Sequence, residues 1–196
     1  TPLHSSAASD VYKRQILTVL VMILFGVVFG LAIIPSYFLF EKLRSLSDGH
    51  GEFTEAAGIC VGIGLGYILW GVCLLVICGL FGGLFRIRKE EGRYPLRSVI
   101  TIQWAFSLVA HRVARVFLGL IVPSFIGTIY YRMMGAKIGK GVQLNSMNIN
   151  DASMISIGDG VVIGGDATIN GHIVESGEIV LAPVRIGDRA LIGGGS

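Results

Sequence analysis

Ile157-Gly158-Asp159-Gly160-Val161-Val162-Ile163-Gly164-Gly165-Asp166-Ala167-Thr168-Ile169 is the stretch whose reading decides the fold. Its isoleucines recur every sixth position, at 157, 163 and 169. The same rhythm precedes it as Ile138-Gly139 and Leu144, and returns as Ile186-Gly187 and Ile192-Gly193. A period of six fits neither a helix nor one long strand. It fits a coil with three short straight sides per turn, each side pointing one aliphatic residue inward. Gly139, Gly158, Gly164, Gly187 and Gly193 follow those aliphatics. They are expected beside tight corners, where glycine tolerates unusual backbone angles. Coils of this kind bury their hydrophobes against the neighbouring coil.

This stretch, with Ala182-Pro183-Val184-Arg185-Ile186-Gly187-Asp188, resembles the hexapeptide-repeat acyltransferases. The resemblance covers about a third of the chain, residues 134–196. It implies a left-handed parallel β-helix, assembly as a homotrimer through that β-helix, and an acyl thioester such as acetyl-CoA as cosubstrate, with no tightly bound cofactor.

Composition limits what else the chain can be. Of its 196 residues 53% are hydrophobic and 15% charged, and the mean hydropathy is +0.71. Such values point to a membrane protein. A net charge of +3, with no basic stripe interleaved with aromatics, argues against nucleic acid as a partner. Cys60, Cys73 and Cys78 lie in one apolar run without metal-ligand company. They read as buried packing residues.

Residues 1–15 contain Asp10-Val11-Tyr12-Lys13-Arg14-Gln15, which reads as translated sequencing adapter. They are set aside from the fold. The chain is also expected to be a fragment open at both ends. Residues 16–40 and 56–85 carry no charge. Each is long enough to cross a hydrocarbon core of about 30 Å. Pro35 is expected to kink the end of the first run. Gly58, Gly62 and Gly66 at four-residue spacing predict close approach of the two spans as a hairpin, which gives a transmembrane unit over 16–97. Between the runs, His50 reads as a loop-tip residue. Arg86, Arg88, Lys89, Arg93 and Arg97 oppose only Glu90 and Glu91 after the second run. That basic excess places this side in the cytoplasm, as expected for an integral protein of the plasma (inner) membrane with its β domain cytoplasmic.

Residues 98–133 form an amphipathic, interfacial segment. Gln103, Ser107, His111 and Arg115 make a polar stripe on an otherwise apolar helix. Two arginines make spanning expensive, so an in-plane helix is favoured over a third span. His111 is read as an interfacial polar residue. Pro123 ends the helix, and Tyr130-Tyr131-Arg132 reads as an interface anchor. The entry Arg132-Met133-Met134-Gly135-Ala136-Lys137-Ile138-Gly139 is similar to that of membrane-fed family members. The whole layout resembles the C-terminal region of non-ribosomal-peptide-synthetase-like enzymes of the poly-lysine synthetase kind.

Between 170 and 184 the rhythm breaks. In a repeat protein such an excursion is where function is grafted. The resemblance implies a catalytic histidine just before the loop leading to Pro183-Val184, and that position is His172. Imidazole can take a proton near neutral pH from an attacking hydroxyl or amine. Glu175 and Glu178 are both candidates to orient it, and spacing does not choose between them. Asp166 and Asn170 are weaker substrate-contact candidates, while Asp151, Asp159 and Asp188 read as corner residues. The expected function is a membrane-anchored acyltransferase, taking its acyl group from CoA or a carrier protein. The alternatives are a condensation-type domain of a synthetase and a non-catalytic trimeric scaffold. A zinc carbonic anhydrase is disfavoured, because residues 134–196 hold only one histidine.

Overall fold

Two long uncharged runs, a capped amphipathic helix and a set of very short strands follow one another in the computed structural model, which describes residues 3–86 and 91–196. Thr1 and Pro2, from the stretch read as adapter, and Arg88, Lys89 and Glu90, from the basic side, lie outside the described residues. The elements group into two compact units, Thr1–Leu74 and Leu75–Ser196.

In the first unit, α1 (Leu3–Ser47) runs through Pro35 without ending, and α2 (Glu52–Leu84) begins beyond a short turn. Gly58, Gly62 and Gly66 of α2 face α1. A Cβ at Gly58 would overlap the Ser47 side chain, one at Gly62 would sit 3.0 Å from the Phe40 ring, and one at Gly66 would sit 3.7 Å from the Ser36 carbonyl. Small residues at every fourth position thus let two backbones approach, as their spacing predicts. Phe29 and Trp70 add a tilted ring contact at 5.7 Å. His50 lies at the exposed turn, its Nδ1 2.9 Å from the Asp48 carbonyl. Cys60 is exposed and Cys73 half-buried, so of the three cysteines read as buried only Cys78 is so.

In the second unit, the last turns of α2 lead to β1 (Gly92–Pro95), α3 (Val99–Ile121) and α4 (Phe125–Met133). Ser98 caps α3 by accepting from the Thr101 N–H at 3.2 Å, and Ser124 caps α4 through the Gly127 N–H at 3.3 Å. Such caps satisfy donors that the first helical turn leaves unpaired. Gly79 and Gly83 leave room for Met133, and Gly82 for Met134. α1 from Thr18, α2 and α3 are each long and apolar enough to cross a membrane.

α3 buries Ala110, Val113, Ala114, Phe117 and Leu118, and one polar side chain of its stripe goes in with them. His111 is buried, its Nδ1 3.0 Å from the Tyr130 hydroxyl and its Nε2 3.2 Å from the Met147 carbonyl. Val99, Ile102, Phe106, Val116 and Leu120 are exposed instead. His111 is therefore not interfacial. Tyr130 and Tyr131 are buried too, so they anchor the protein interior rather than an interface. Burial pushes both hydroxyls well above the ordinary tyrosine range. Only Arg132 of that trio is exposed, donating to the Ile138 and Gly139 carbonyls.

The strands are two to four residues long: β2 (Lys137–Ile138), β3 (Gln143–Leu144), β4 (Ile155–Ile157), β5 (Val162–Ile163), β6 (His172–Glu175), β7 (Glu178–Leu181), β8 (Val184–Ile186) and β9 (Leu191–Ile192). They sort into three three-stranded sheets, ordered β2-β4-β8, β3-β5-β9 and β1-β7-β6. The first two are parallel and the third antiparallel. The expected left-handed parallel β-helix is thereby corrected: the described residues form four α-helices and three short sheets. At 170–184 the chain turns back on itself through Ser176 and Gly177, both at positive φ, and its hairpin takes a third strand from before α3. Charge gives that upstream segment only as the basic side of the hairpin.

The six-residue rhythm still decides which side chains face in. Leu144, Ile157, Ile163 and Ile169 are buried. The glycines after them serve a different purpose from the one expected. None of Gly139, Gly158, Gly164, Gly187 or Gly193 has positive φ. The left-handed positions fall two residues later, at Gly141, Gly160, Asp166, Arg189 and Gly195. What Gly139 and Gly158 provide is space. A Cβ there would overlap Asp159 Oδ1 and Asp188 Oδ1 respectively. Those carboxylates accept the Lys140 N–H at 2.7 Å and the Asp159 N–H at 2.8 Å, tying one level to the next.

Candidate active site

His172 opens β6, directly after buried Gly171. A parallel bridge pairs Ile149 with Ile169, and the Asn150 amide donates to Asn170 Oδ1 at 2.7 Å. This 20-residue offset continues one step further and sets Asp151 beside Gly171 and His172. Asp151 takes the left-handed conformation, φ 58 and ψ 44, just before a 3-10 turn at Ala152–Met154. Aspartate is among the few residues that accept this region readily.

The Asp151 carboxylate is surrounded by donors. Its Oδ1 accepts the Trp104 indole N–H at 2.8 Å. Its Oδ2 accepts the Gly171 N–H at 3.0 Å and lies 2.5 Å from His172 Nδ1. The Asp151 side chain is 2% exposed and that of His172 19%. Two of the three partners can only donate, so the carboxylate acts as an acceptor throughout. The network therefore assigns the ring proton to Nδ1 and the lone pair to Nε2. Among the described residues Nε2 has no hydrogen-bond partner. The Trp104 ring meets the imidazole edge-on, with centroids 4.8 Å apart. Trp104 itself packs with Tyr94 and Ile100 on buried Met154, Ile179 and Leu181.

An imidazole held through Nδ1 by a buried carboxylate, with Nε2 open, is the arrangement of a general base. The carboxylate fixes the tautomer and the orientation of the ring. The expected orienting residues do something else. Glu175 receives Arg93 at 2.7 Å and Glu178 lies 3.8 Å from it, so both fasten β1 to the β6–β7 hairpin. Asn170 holds Asn150. Asp166 is an exposed corner residue at φ 57, with no contact to His172 among the described residues. Sequence reasoning missed both Asp151 and Trp104. Asp151 was legible only through the register between levels, and Trp104 sits in an apolar run that offers no spacing signal. Among the described residues no three His, Cys, Asp or Glu side chains converge as a metal site.

Part of the chain is similar to a synthetase. That relative is the delta-poly-L-ornithine synthetase of Acinetobacter baumannii (strain AB307-0294), 30% identical over 102 residues. The aligned part is 52% of this chain and 8% of that protein. This chain therefore spans a small fraction of the curated relative it matches. No family model matches, and no solved structure does.

Proposed function

We propose that this chain is the membrane-anchored portion of an acyl-transfer enzyme in which His172 is the general base and Asp151 orients it. The observation that carries the reading is the 2.5 Å contact between Asp151 Oδ2 and His172 Nδ1, with Nε2 unpartnered among the described residues. An amine or hydroxyl acceptor hydrogen-bonded to Nε2 attacks the carbonyl carbon of an acyl thioester. Its proton moves to Nε2 as the new C–N or C–O bond forms. The tetrahedral intermediate then expels the thiolate, which takes that proton back from the imidazolium. Nucleophile, base and leaving group balance without an acyl-enzyme. A general base of this kind contributes about 10²–10⁴ in rate.

The acyl donor is acetyl-CoA, another acyl-CoA or a carrier-bound thioester. The similarity to a delta-poly-L-ornithine synthetase favours the condensation-type version, in which the donor is a carrier-bound aminoacyl group, the acceptor an amine and the product an amide. The long apolar helices anchor the chain in the inner membrane. Basic Arg86, Arg93 and Arg97, after the second candidate span, favour a cytoplasmic strand-bearing unit. The test is transfer of a radiolabelled acyl group by the purified full chain, with CoA and carrier-protein thioesters compared. Transfer that is lost in His172→Ala supports the reading. Transfer that persists at full rate in that variant removes His172 from the mechanism, and a chain inert to every thioester but still self-associating favours a scaffold.

A further inference from the structure

The outward face of the β2-β4-β8 sheet carries a column of a different chemistry. Lys137, Ser156 and Arg185 are register partners on three adjacent strands. The next partners along the strands, Ile138, Ile157 and Ile186, are half-buried or buried. The two-residue alternation of a strand therefore turns Lys137, Ser156 and Arg185 to the opposite side. There they line an open cleft of about 500 Å³ together with Ser153, Met154, Pro183 and Glu91. Neither His172 nor Asp151 lines it.

Adjacent strands lie about 4.8 Å apart, so the two cations stand roughly 10 Å apart at their backbones, with a hydroxyl between them. Among the described residues neither Lys137 nor Arg185 has an ion-pair partner. Arg93 and Arg132, by contrast, are engaged with carboxylates and carbonyls. Among the described lining residues, two cations stand against one carboxylate, that of Glu91. A carboxylate ligand would gain little there. A group with two separated negative centres would engage both cations at once, with Arg185 as a planar fork, Lys137 as a point charge and Ser153 and Ser156 as hydroxyl donors.

The geometry points to a diphosphate-binding site in this cleft, built by Lys137, Ser156 and Arg185. A diphosphate ester in solution and a diphosphate headgroup at a lipid surface share this chemistry. The site stands apart from the acyl-transfer reading, because binding alone tests it.

Inorganic pyrophosphate is titrated calorimetrically into the detergent-purified full chain. Saturable binding is expected, weakened about tenfold by each of Lys137→Gln and Arg185→Gln. Glu91→Gln is expected to tighten it about threefold, a gain that a folding defect cannot imitate. Repeating the titration in phosphatidylcholine nanodiscs, with and without a polyprenyl diphosphate, separates the sources. Competition by the lipid diphosphate assigns the site to a lipid headgroup, and undiminished binding assigns it to a soluble ester. No pyrophosphate binding by the unaltered chain, or equal binding by the Lys137→Gln/Arg185→Gln double variant, overturns the site.

Discussion

Replacing Asp151 by asparagine tests the proposed mechanism at its narrowest point. Asparagine keeps the size of the side chain and tolerates the left-handed backbone at φ 58, so the fold should survive. It supplies one acceptor oxygen where three donors now converge. If the oxygen stays on Trp104, an NH₂ group faces both the Gly171 N–H and His172 Nδ1. The first contact becomes donor against donor, at a cost of about 1–3 kcal/mol for a buried amide left unsatisfied. The second is relieved only if Nδ1 gives up its proton, which moves that proton to Nε2 and fills the lone pair the base needs. The rate should fall by about 10²–10⁴, or roughly 3–5 kcal/mol of barrier, as when a triad aspartate is made neutral. The assay is single-turnover acyl transfer to an amine acceptor at saturating thioester, with His172→Ala as the baseline and circular dichroism as the folding control. A folded Asp151→Asn chain within threefold of the unaltered rate would refute the orienting role of the carboxylate.

Trp104→Phe removes the indole donor and keeps a ring near the imidazole. It should lower kcat about fivefold to tenfold with KM little changed, as expected for loss of one hydrogen bond of about 1 kcal/mol. Steady-state kinetics separates the two constants. Glu175→Gln and Glu178→Gln break ion pairs to Arg93 that are largely exposed. They should cost under about 1 kcal/mol in thermal unfolding and leave transfer nearly intact. Gly158→Ala should destabilise the strand unit by about 1–3 kcal/mol, because its Cβ meets Asp188. Gly187→Ala, with open space around it, should stay within about 0.5 kcal/mol of the unaltered chain, and denaturant melts of the pair decide this. In the helical hairpin, Gly58→Leu should separate α1 from α2 at the Ser47 contact. Disulfide trapping between cysteines introduced at positions 36 and 66, whose Cβ atoms would lie 3.8 Å apart, should be lost in that variant.

How much of this was legible in the sequence depends on the range over which each signal acts. The inward set Ile157, Ile163 and Ile169 was legible because periodicity along the chain decides burial locally. The hairpin glycines were legible because four-residue spacing has one physical use on apolar helices. Gly139 and Gly158 were identified as special for the wrong reason, since their demand comes from a carboxylate 20 and 30 residues away. Asp151 was missed on the same ground. The level holding Ile149 is offset from Ile169 by one residue more than the 19 that separates Ile138 from Ile157. Without that register, Glu175 and Glu178 looked nearer to His172 than Asp151 did. β1 and the burial of Tyr130 and Tyr131 depend on tertiary partners that neither charge nor hydropathy reveals.

One helix serves two masters. Its Trp104 holds the carboxylate that steers the imidazole, while Ile102, Phe106, Val116 and Leu120 on the same helix lie bare. A bilayer covering those side chains would set the depth and roll of α3, and the indole N–H would pass part of that to the carboxylate, which the Gly171 N–H also holds. Lipid thickness would then act on the chemistry without touching a reacting atom.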